Sequence, residues 1–173
     1  PAVRVVVLGH TGPVFCSGMD LRESRGAGAQ GVQEFPAILR TILTAPQPVV
    51  ARVAGPARAG GIGLLAACDI AVAVDTATFA FTEVRIGVVP AVIAVTVLPR
   101  LVPRAAHELF LTGETFDAGR AAAVGLVNAA VPAERLDAEV TRYVELLGLG
   151  APGALAATKA LMQRPEIDAA FAA

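Results

Sequence analysis

One stretch of eight apolar residues, 61–68, limits the folds open to this chain more than any other feature. It contains only glycine, isoleucine, leucine, alanine and cysteine, and it lies between two runs rich in β-branched residues, 49–53 and 69–74. A helix without a polar face has to be buried, and strands that are apolar throughout are typical of a parallel sheet covered on both faces. The pattern therefore predicts an α/β fold with a short central helix at 61–68.

The rest of the chain divides into an alternating first half and a mostly helical second half. Turn residues and changes of hydrophobic period predict further strands at 3–8 (expected to be fully buried), 78–81 and 126–131. The same signals predict helices at 33–43, 91–98, 103–111, 118–123, 134–147 and 154–164. We expect Asp117 to cap the helix at 118–123 and Gly125 to end it. Residues 1–130 then form a core, and residues 131–173 form a C-terminal helical region.

Composition favours a single cytoplasmic domain that associates with copies of itself. Hydrophobic residues make up 55% of the 173 residues and charged residues 17%, and this apolar excess predicts a homo-oligomer. A net charge of −1 without a basic cluster argues against nucleic-acid binding, and no apolar run is long enough for a membrane span. Cys16 and Cys68 lack metal-ligand spacing, which favours core positions in a reducing compartment. No secretory signal is evident.

Two glycine-containing segments, 15–21 and 57–64, each lead into a helix-compatible stretch. Glycine allows a ligand to approach the main chain closely. The first N–H groups of a helix lack partners within it and carry partial positive charge. Two such donors directed at one carbonyl oxygen form an oxyanion hole. The two segments therefore predict chemistry through an enolate or a tetrahedral oxyanion.

Together with two later segments, these residues resemble the crotonase superfamily, whose best-known members are enoyl-CoA hydratases and isomerases. The matching segments occur in family order and are residues 15–21 (FCSGMDL), 59–70 (AGGIGLLAACDI), 79–90 (FAFTEVRIGVVP) and 111–118 (LTGETFDA). The resemblance implies a ββα spiral with two roughly perpendicular sheets and a helical C-terminal region for trimerisation, so a homotrimer or a hexamer is expected. It also implies that terminal parts of the fold lie outside this sequence, which starts without Met.

The resemblance assigns site residues. Met19 and Gly60 would supply the two oxyanion N–H groups, and the ligand would be the thioester carbonyl of an acyl-CoA. The residues expected to bind the rest of the substrate are Ser17, Gly18, Arg22, Gly61 and Arg58. Coenzyme A enters as part of the substrate, so neither a separate cofactor nor a metal is expected.

The expected catalytic residue is Glu83, and the chain departs from the family pattern at a second position. Hydratases of this family use two glutamates, but the first of these positions is Gly63 here. Apolar neighbours would desolvate Glu83 and raise its pKa, as suits proton transfer. The alternative is a structural carboxylate paired with Arg85 or Arg58.

The preferred function is an enoyl-CoA hydratase that adds water across the 2,3 double bond through an enolate. The loss of a carboxylate at Gly63 leaves two alternatives: an isomerase that moves the double bond with Glu83 alone, and a non-catalytic acyl-CoA-binding homologue. Residues 61–66 also fit a dinucleotide fingerprint, but the loop at 54–60 separates them from the preceding strand. His10 and His107 have no visible triad partners.

Overall fold

The computed structural model describes residues 3–18 and 29–163, with the side chains of residues 29–33 left aside. The strands are β1 (Val6–Leu8), β2 (Val49–Val53), β3 (Ala57–Arg58), β4 (Ile70–Val74), β5 (Thr78–Ala80), β6 (Phe116–Asp117) and β7 (Ala129–Val131). The α-helices are α1 (Ala29–Thr44), α2 (Gly60–Ala67), α3 (Ala91–Val97), α4 (Pro103–Thr112), α5 (Ala118–Ala123), α6 (Leu136–Gly148) and α7 (Pro152–Met162). Two 3₁₀ helices cover Thr82–Ile86 and Ala133–Arg135.

The described strands form two sheets, and successive turns of the chain contribute to both. The first sheet has four strands in the order β1-β2-β4-β7, parallel throughout. The second has the order β3-β5-β6, with β3 and β5 parallel and β6 antiparallel to β5. Cys16 forms a parallel bridge to Ala57 of β3, so the segment around Cys16 lies beside the β3 end of the second sheet. This α/β architecture confirms the predicted fold class.

The apolar helix α2 lies in the core, as predicted. Ile62, Leu65 and Ala66 are almost fully buried and belong to one large cluster with the side chains of β2 and β4. β2 and β4 are themselves buried along nearly their whole length, because each has a parallel neighbour on both sides. The central part of the parallel sheet thus matches the apolar runs that predicted it.

The prediction of a fully buried strand at 3–8 was wrong. β1 covers only Val6–Leu8, and Val6 and Val7 are 40% and 44% exposed. Among the described strands, β1 lies at the edge of the sheet and pairs with β2 alone. A continuous apolar run does not distinguish an edge strand from a central one.

The predicted strand at 126–131 was too long, since β7 covers only Ala129–Val131. The N–H groups of Leu126 and Val127 donate to the carbonyl of Ala121 in α5, at 2.8 and 3.4 Å. This turn begins at Gly125, whose φ is +89°. The first half of the apolar run therefore folds back on α5 before the chain enters the sheet.

The helices agree with prediction in kind and differ at their ends. Asp117 caps α5 as expected, because its Oδ1 accepts the Arg120 N–H at 2.7 Å. Leu136 and Val140 of α6 are buried in the main core. No described helix is both long and apolar enough to cross a membrane. The proposed boundary between residues 130 and 131 stays a prediction.

Candidate active site

The two glycine-containing segments meet, as the sequence predicts. The Arg58 N–H donates to the Cys16 carbonyl at 2.9 Å. A Cβ atom added at Gly18 would lie 3.2 Å from the Gly60 nitrogen, and one added at Gly61 would lie 2.2 Å from the Cys16 oxygen. The close approach of the two backbones therefore requires glycine at position 61.

Helix α2 starts with backbone donors that are free to bind a ligand. Ala59 precedes it with φ 48° and ψ −122°, a conformation that costs non-glycine residues about 1–3 kcal/mol. The Ala59 carbonyl accepts the N–H groups of Ile62 and Gly63, at 2.9 and 3.3 Å. Within the described part of the chain, the N–H groups of Gly60 and Gly61 have no acceptor. Gly60 is half-buried, so its N–H can reach a ligand oxygen.

Only part of the predicted first segment can be placed. Met19 and Arg22, expected to supply an oxyanion donor and a phosphate contact, lie outside the described residues. Ser17 is exposed beside the junction. The Gly18 N–H donates to Cys16 Sγ at 3.4 Å, and Gly18 has φ +91°. The Gly18 N–H thus has a partner within the protein, whereas that of Gly60 does not.

Phe35 of α1 is a neighbour of the site that the sequence did not reveal. A Cβ at Gly60 would lie 3.2 Å from its Cζ atom. Its apolar helical spacing predicted only a core residue, and Phe35 does pack against the core clusters. The aromatic ring closes one side of the α2 N-terminus and leaves it less accessible to water.

Glu83 lies in the 3₁₀ helix directly after β5 and is 8% exposed. Its Oε2 atom is buried without a hydrogen-bond partner in the structure. Burial is the main cause that raises the pKa of Glu83, and a hydrogen bond from its own backbone opposes it. A buried carboxylate oxygen without a donor is poised to take a proton from a ligand or a water.

The pairing in the second sheet connects Glu83 to the start of α2. Arg58 is in register with Ala80, and the Ala59 N–H donates to the Ala80 carbonyl at 3.3 Å. Gly60 follows Ala59 directly, and Glu83 comes three residues after Ala80. The free N–H and the free carboxylate oxygen thus belong to adjoining strand ends.

Neither arginine considered as an ion-pair partner for Glu83 has that role. Arg58 donates to the Thr78 carbonyl, to Thr78 Oγ1 at 2.8 Å and to the Ala57 carbonyl, which ties β3 to β5. Arg85 donates through Nε to the Thr112 carbonyl at 3.4 Å. Glu83 forms no ion pair with a described residue, so the purely structural alternative is not observed. The predicted substrate contact of Arg58 stays a prediction.

The space beside Gly63 is filled by an aliphatic side chain. A Cβ at Gly63 would lie 2.7 Å from Ile93 Cγ2, and Ile93 is 4% exposed. Thr96, one turn later on α3, donates through Oγ1 to the Gly63 carbonyl at 3.1 Å. Helix α3 therefore leaves no room for a side chain at position 63, the position at which the family pattern has its second carboxylate.

Cys68, His10 and His107 each have one local polar contact, whereas His10 Nδ1 is buried without a partner among the described residues. Burial raises the pKa of Cys68 to about 12, and its thiol donates to the Leu64 carbonyl at 3.4 Å. His10 Nε2 accepts the Ala54 N–H at 3.1 Å, and His107 Nδ1 lies 2.9 Å from the Pro103 carbonyl. Among residues 3–18 and 29–163, no cluster of His, Cys, Asp or Glu side chains could hold a metal ion.

Comparison with known proteins finds one family along nearly the whole chain. Residues 1–171 match the family model described as enoyl-CoA hydratase/isomerase. The chain is 40% identical over 149 residues to enoyl-CoA hydratase domain-containing protein 3, mitochondrial, of Rattus norvegicus, covering 83% of this chain and 49% of that protein. It is 34% identical over 165 residues to the enoyl-CoA isomerase/hydratase fer4 of Mycosarcoma maydis, covering 92% and 60%.

A solved structure gives the same result. The crystal structure of an enoyl-CoA hydratase from Mycobacterium avium superposes with a TM-score of 0.90 at 46% identity, covering 99% of this chain and 66% of that one. The chain thus spans between about half and two thirds of the length of these relatives.

Proposed function

We propose a reaction for this chain from the premise that it belongs to the enoyl-CoA hydratase/isomerase family. The substrate is a 2-enoyl thioester of coenzyme A, and the reaction is the addition of water across its 2,3 double bond. The observation that carries the proposal is the buried Oε2 of Glu83, which has no partner among the described residues and follows the strand that adjoins the one leading to Gly60.

The thioester oxygen would bind at the start of α2. The Gly60 N–H donates to it, together with the predicted donor Met19. Both would be backbone donors, and the partial positive charge of the α2 N-terminus strengthens that of Gly60. They stabilise the oxyanion that develops as the thioester becomes an enolate, and removal of one such donor typically costs about 10²–10³ in rate.

One carboxylate suffices to account for the protons. Glu83 takes a proton from water as the water oxygen bonds to C3, and the electron pair of the double bond moves onto the thioester oxygen through C2. The protonated Glu83 then delivers that proton to C2, and the thioester carbonyl forms again. The sum is one water added, and the carboxylate returns to its starting state.

Isomerisation is the second candidate, and the contact between Gly63 and Ile93 favours it. An isomerase needs one carboxylate to move a proton between C4 and C2, with the same enolate stabilised at the oxyanion hole. The apolar side chain of Ile93 packs against Gly63, so position 63 offers no carboxylate to hold the attacking water. Hydration remains the first choice because the similar solved structure from Mycobacterium avium is that of an enoyl-CoA hydratase.

The test follows the absorbance of the conjugated enoyl thioester with two substrates. Loss of absorbance with crotonyl-CoA indicates hydration, whereas a gain with a 3-enoyl-CoA indicates isomerisation. In either case Glu83→Gln should lower kcat by about 10²-fold or more and leave binding of the thioester intact. Glu114→Gln, at an exposed position, is the matched control. Unchanged kcat in Glu83→Gln would overturn the role of Glu83, and silence with both substrates would favour the non-catalytic alternative.

We also propose that the chain associates with other copies of itself. Leu149, Leu161 and Val89 are each 80% or more exposed, and hydrophobic residues make up 55% of the sequence, an apolar excess that contacts between copies would cover. Light scattering should therefore give the mass of a trimer or hexamer. A monomer across the accessible concentration range would contradict this part of the proposal.

A further inference from the structure

The C-terminal end of α2 is held by a charged side chain from outside the helix. The carbonyls of the last turn have no partners within a helix. Here the Leu65 carbonyl accepts the Cys68 N–H at 3.2 Å. The carbonyls of Ala66 and Cys68 accept Nε and Nη2 of Arg100, each at 3.1 Å. One guanidinium thus binds two backbone carbonyls at the C-terminal end of α2.

Arg100 supplies a charge that α2 itself lacks. The eight residues of α2 are all apolar or glycine, and its first and last turns contain no charged side chain. A cation at the C-terminus complements the negative end of the helix dipole. None of the carboxylates described forms an ion pair with Arg100, so its described bonds go to the two carbonyls.

The segment from Thr96 to Arg100 forms hydrogen bonds to α2 at two points. Thr96 Oγ1 binds the Gly63 carbonyl in the middle of the helix, and Arg100 binds the end of it. Arg100 is itself fixed, since its N–H donates to the Val97 carbonyl at 3.0 Å. The other end of α2 is the site of the free N–H of Gly60. Because α2 is short and is hydrogen-bonded at its middle and at its end, these bonds also fix the position of its first residue, Gly60.

We propose that Arg100 is a positioning residue that sets the location and direction of the Gly60 N–H by anchoring the C-terminal end of α2. It acts through the helix and does not touch the substrate. The inference rests on the proposed function for its kinetic consequence. Its structural part, the dependence of the α2 N-terminus on a side chain at the opposite end, is measurable without any substrate.

The kinetic test uses Arg100→Met, which keeps much of the length and removes both donors and the charge. We expect kcat to fall about 10-fold with KM within about 3-fold of wild type, because a displaced donor loses part of the 10²–10³ that a missing one costs. Arg100→Lys restores the charge and one donor and should recover part of the loss. Arg104→Met, on α4, is the control, since no described residue forms a hydrogen bond or ion pair with Arg104.

A second measurement, by NMR, tests the positioning role of Arg100 independently of the proposed reaction. In ¹⁵N-labelled protein, Arg100→Met should shift the Gly60 and Gly61 amide resonances and speed hydrogen exchange at residues 64–67, whereas Arg104→Met should do neither. If these amides match wild type, the positioning role is overturned, with or without activity. If they change while the wild-type protein turns over no enoyl-CoA, the positioning role stands and the proposed function fails. If Arg100→Met does not fold, Arg100→Gln, which keeps one donor group, takes its place in both measurements.

Discussion

Glu83 combines burial with the lack of a partner, and these two properties oppose stability. A carboxylate in an apolar setting prefers its neutral form, and each unsatisfied buried polar atom costs free energy. Glu83 is 8% exposed, and no residue in the described part of the chain donates a hydrogen bond to its Oε2. The chain retains an acidic side chain where a neutral one would be more stable, which fits a residue kept for chemistry.

Replacement of Glu83 by glutamine should therefore stabilise the protein at neutral pH. The pKa of Glu83 is raised in the folded state, so the folded protein binds this proton more tightly than the unfolded chain. The associated stability is present below the unfolded pKa and is lost as pH rises through the folded pKa. The Tm of Glu83→Gln should exceed that of wild type at pH 7, and the difference should shrink below pH about 4.

Glu114→Gln, at an exposed position, is the control and should leave the Tm almost unchanged. A Tm for Glu83→Gln that falls below wild type at neutral pH would mean that the ionised carboxylate has a stabilising partner.

At the scale of elements, the contact between α2 and α3 explains why residue 63 is glycine. Any Cβ there would lie 2.7 Å from Ile93 Cγ2, well inside normal contact distance. The sequence predicted the loss of a carboxylate at this position but not what replaces it. Periodicity places Ile93 on a buried face of α3, yet only the crossing of the two helices brings it onto Gly63.

Gly63→Ala should destabilise the protein by about 1–3 kcal/mol through overpacking. Ile93→Ala should cost about 2–5 kcal/mol by opening a cavity. Because the new methyl group enters that cavity, the double variant should be more stable than the sum of the two predicts by at least about 1 kcal/mol. Urea denaturation of the four proteins completes the cycle, and strict additivity would show that the two residues do not compete for the same space.

Prediction from sequence succeeded for elements whose surroundings are uniform. β2 was predicted at its exact bounds, and α2 within one residue at each end, because most residues of both are buried. It failed at β1 and β7, where an apolar run meets the sheet edge or folds back on a helix. Those outcomes depend on which segments become neighbours, and a residue pattern does not contain that information.

In the candidate site too, the sequence predicted some features and missed those that depend on tertiary neighbours. The glycine-rich junctions identified two segments that do meet, and apolar neighbours identified a carboxylate that is buried. The sequence did not indicate Phe35 beside Gly60 or Arg100 at the far end of α2, since both look like ordinary helix or turn residues. Their positions follow from how α1 and α3 pack on α2.

At the scale of the whole molecule, one buried lysine joins the C-terminal helix to the rest of the fold. Lys159 of α7 is 5% exposed. Its Nζ donates to the carbonyls of Ile42 and Gln47, at 2.9 and 3.2 Å, and lies 2.8 Å from Asp69 Oδ2. Asp69 also accepts the Val49 N–H at 2.7 Å. These bonds connect α7 with the end of α1 and the entries of β2 and β4.

Lys159→Met should destabilise the protein by about 3–5 kcal/mol, because it leaves the Asp69 carboxylate without its cation and two carbonyls without a donor. The midpoint of urea denaturation measures the effect. Arg142→Met is the control: it removes a solvent-exposed pair with Glu139, which should leave the midpoint almost unchanged. A midpoint for Lys159→Met close to wild type would show that α7 adds little to the stability of the core.

Lys159 is also the only lysine in the chain, and its three N–H donors are all engaged. An acylating reagent needs the neutral, accessible ε-amine, so it should modify this side chain only in molecules whose α7 has left the core. The rate at which an acyl group appears on Lys159, followed by mass spectrometry, would then report the opening of the C-terminal helix in the native protein. A single residue therefore serves as a built-in chemical probe of that motion, with no engineered label.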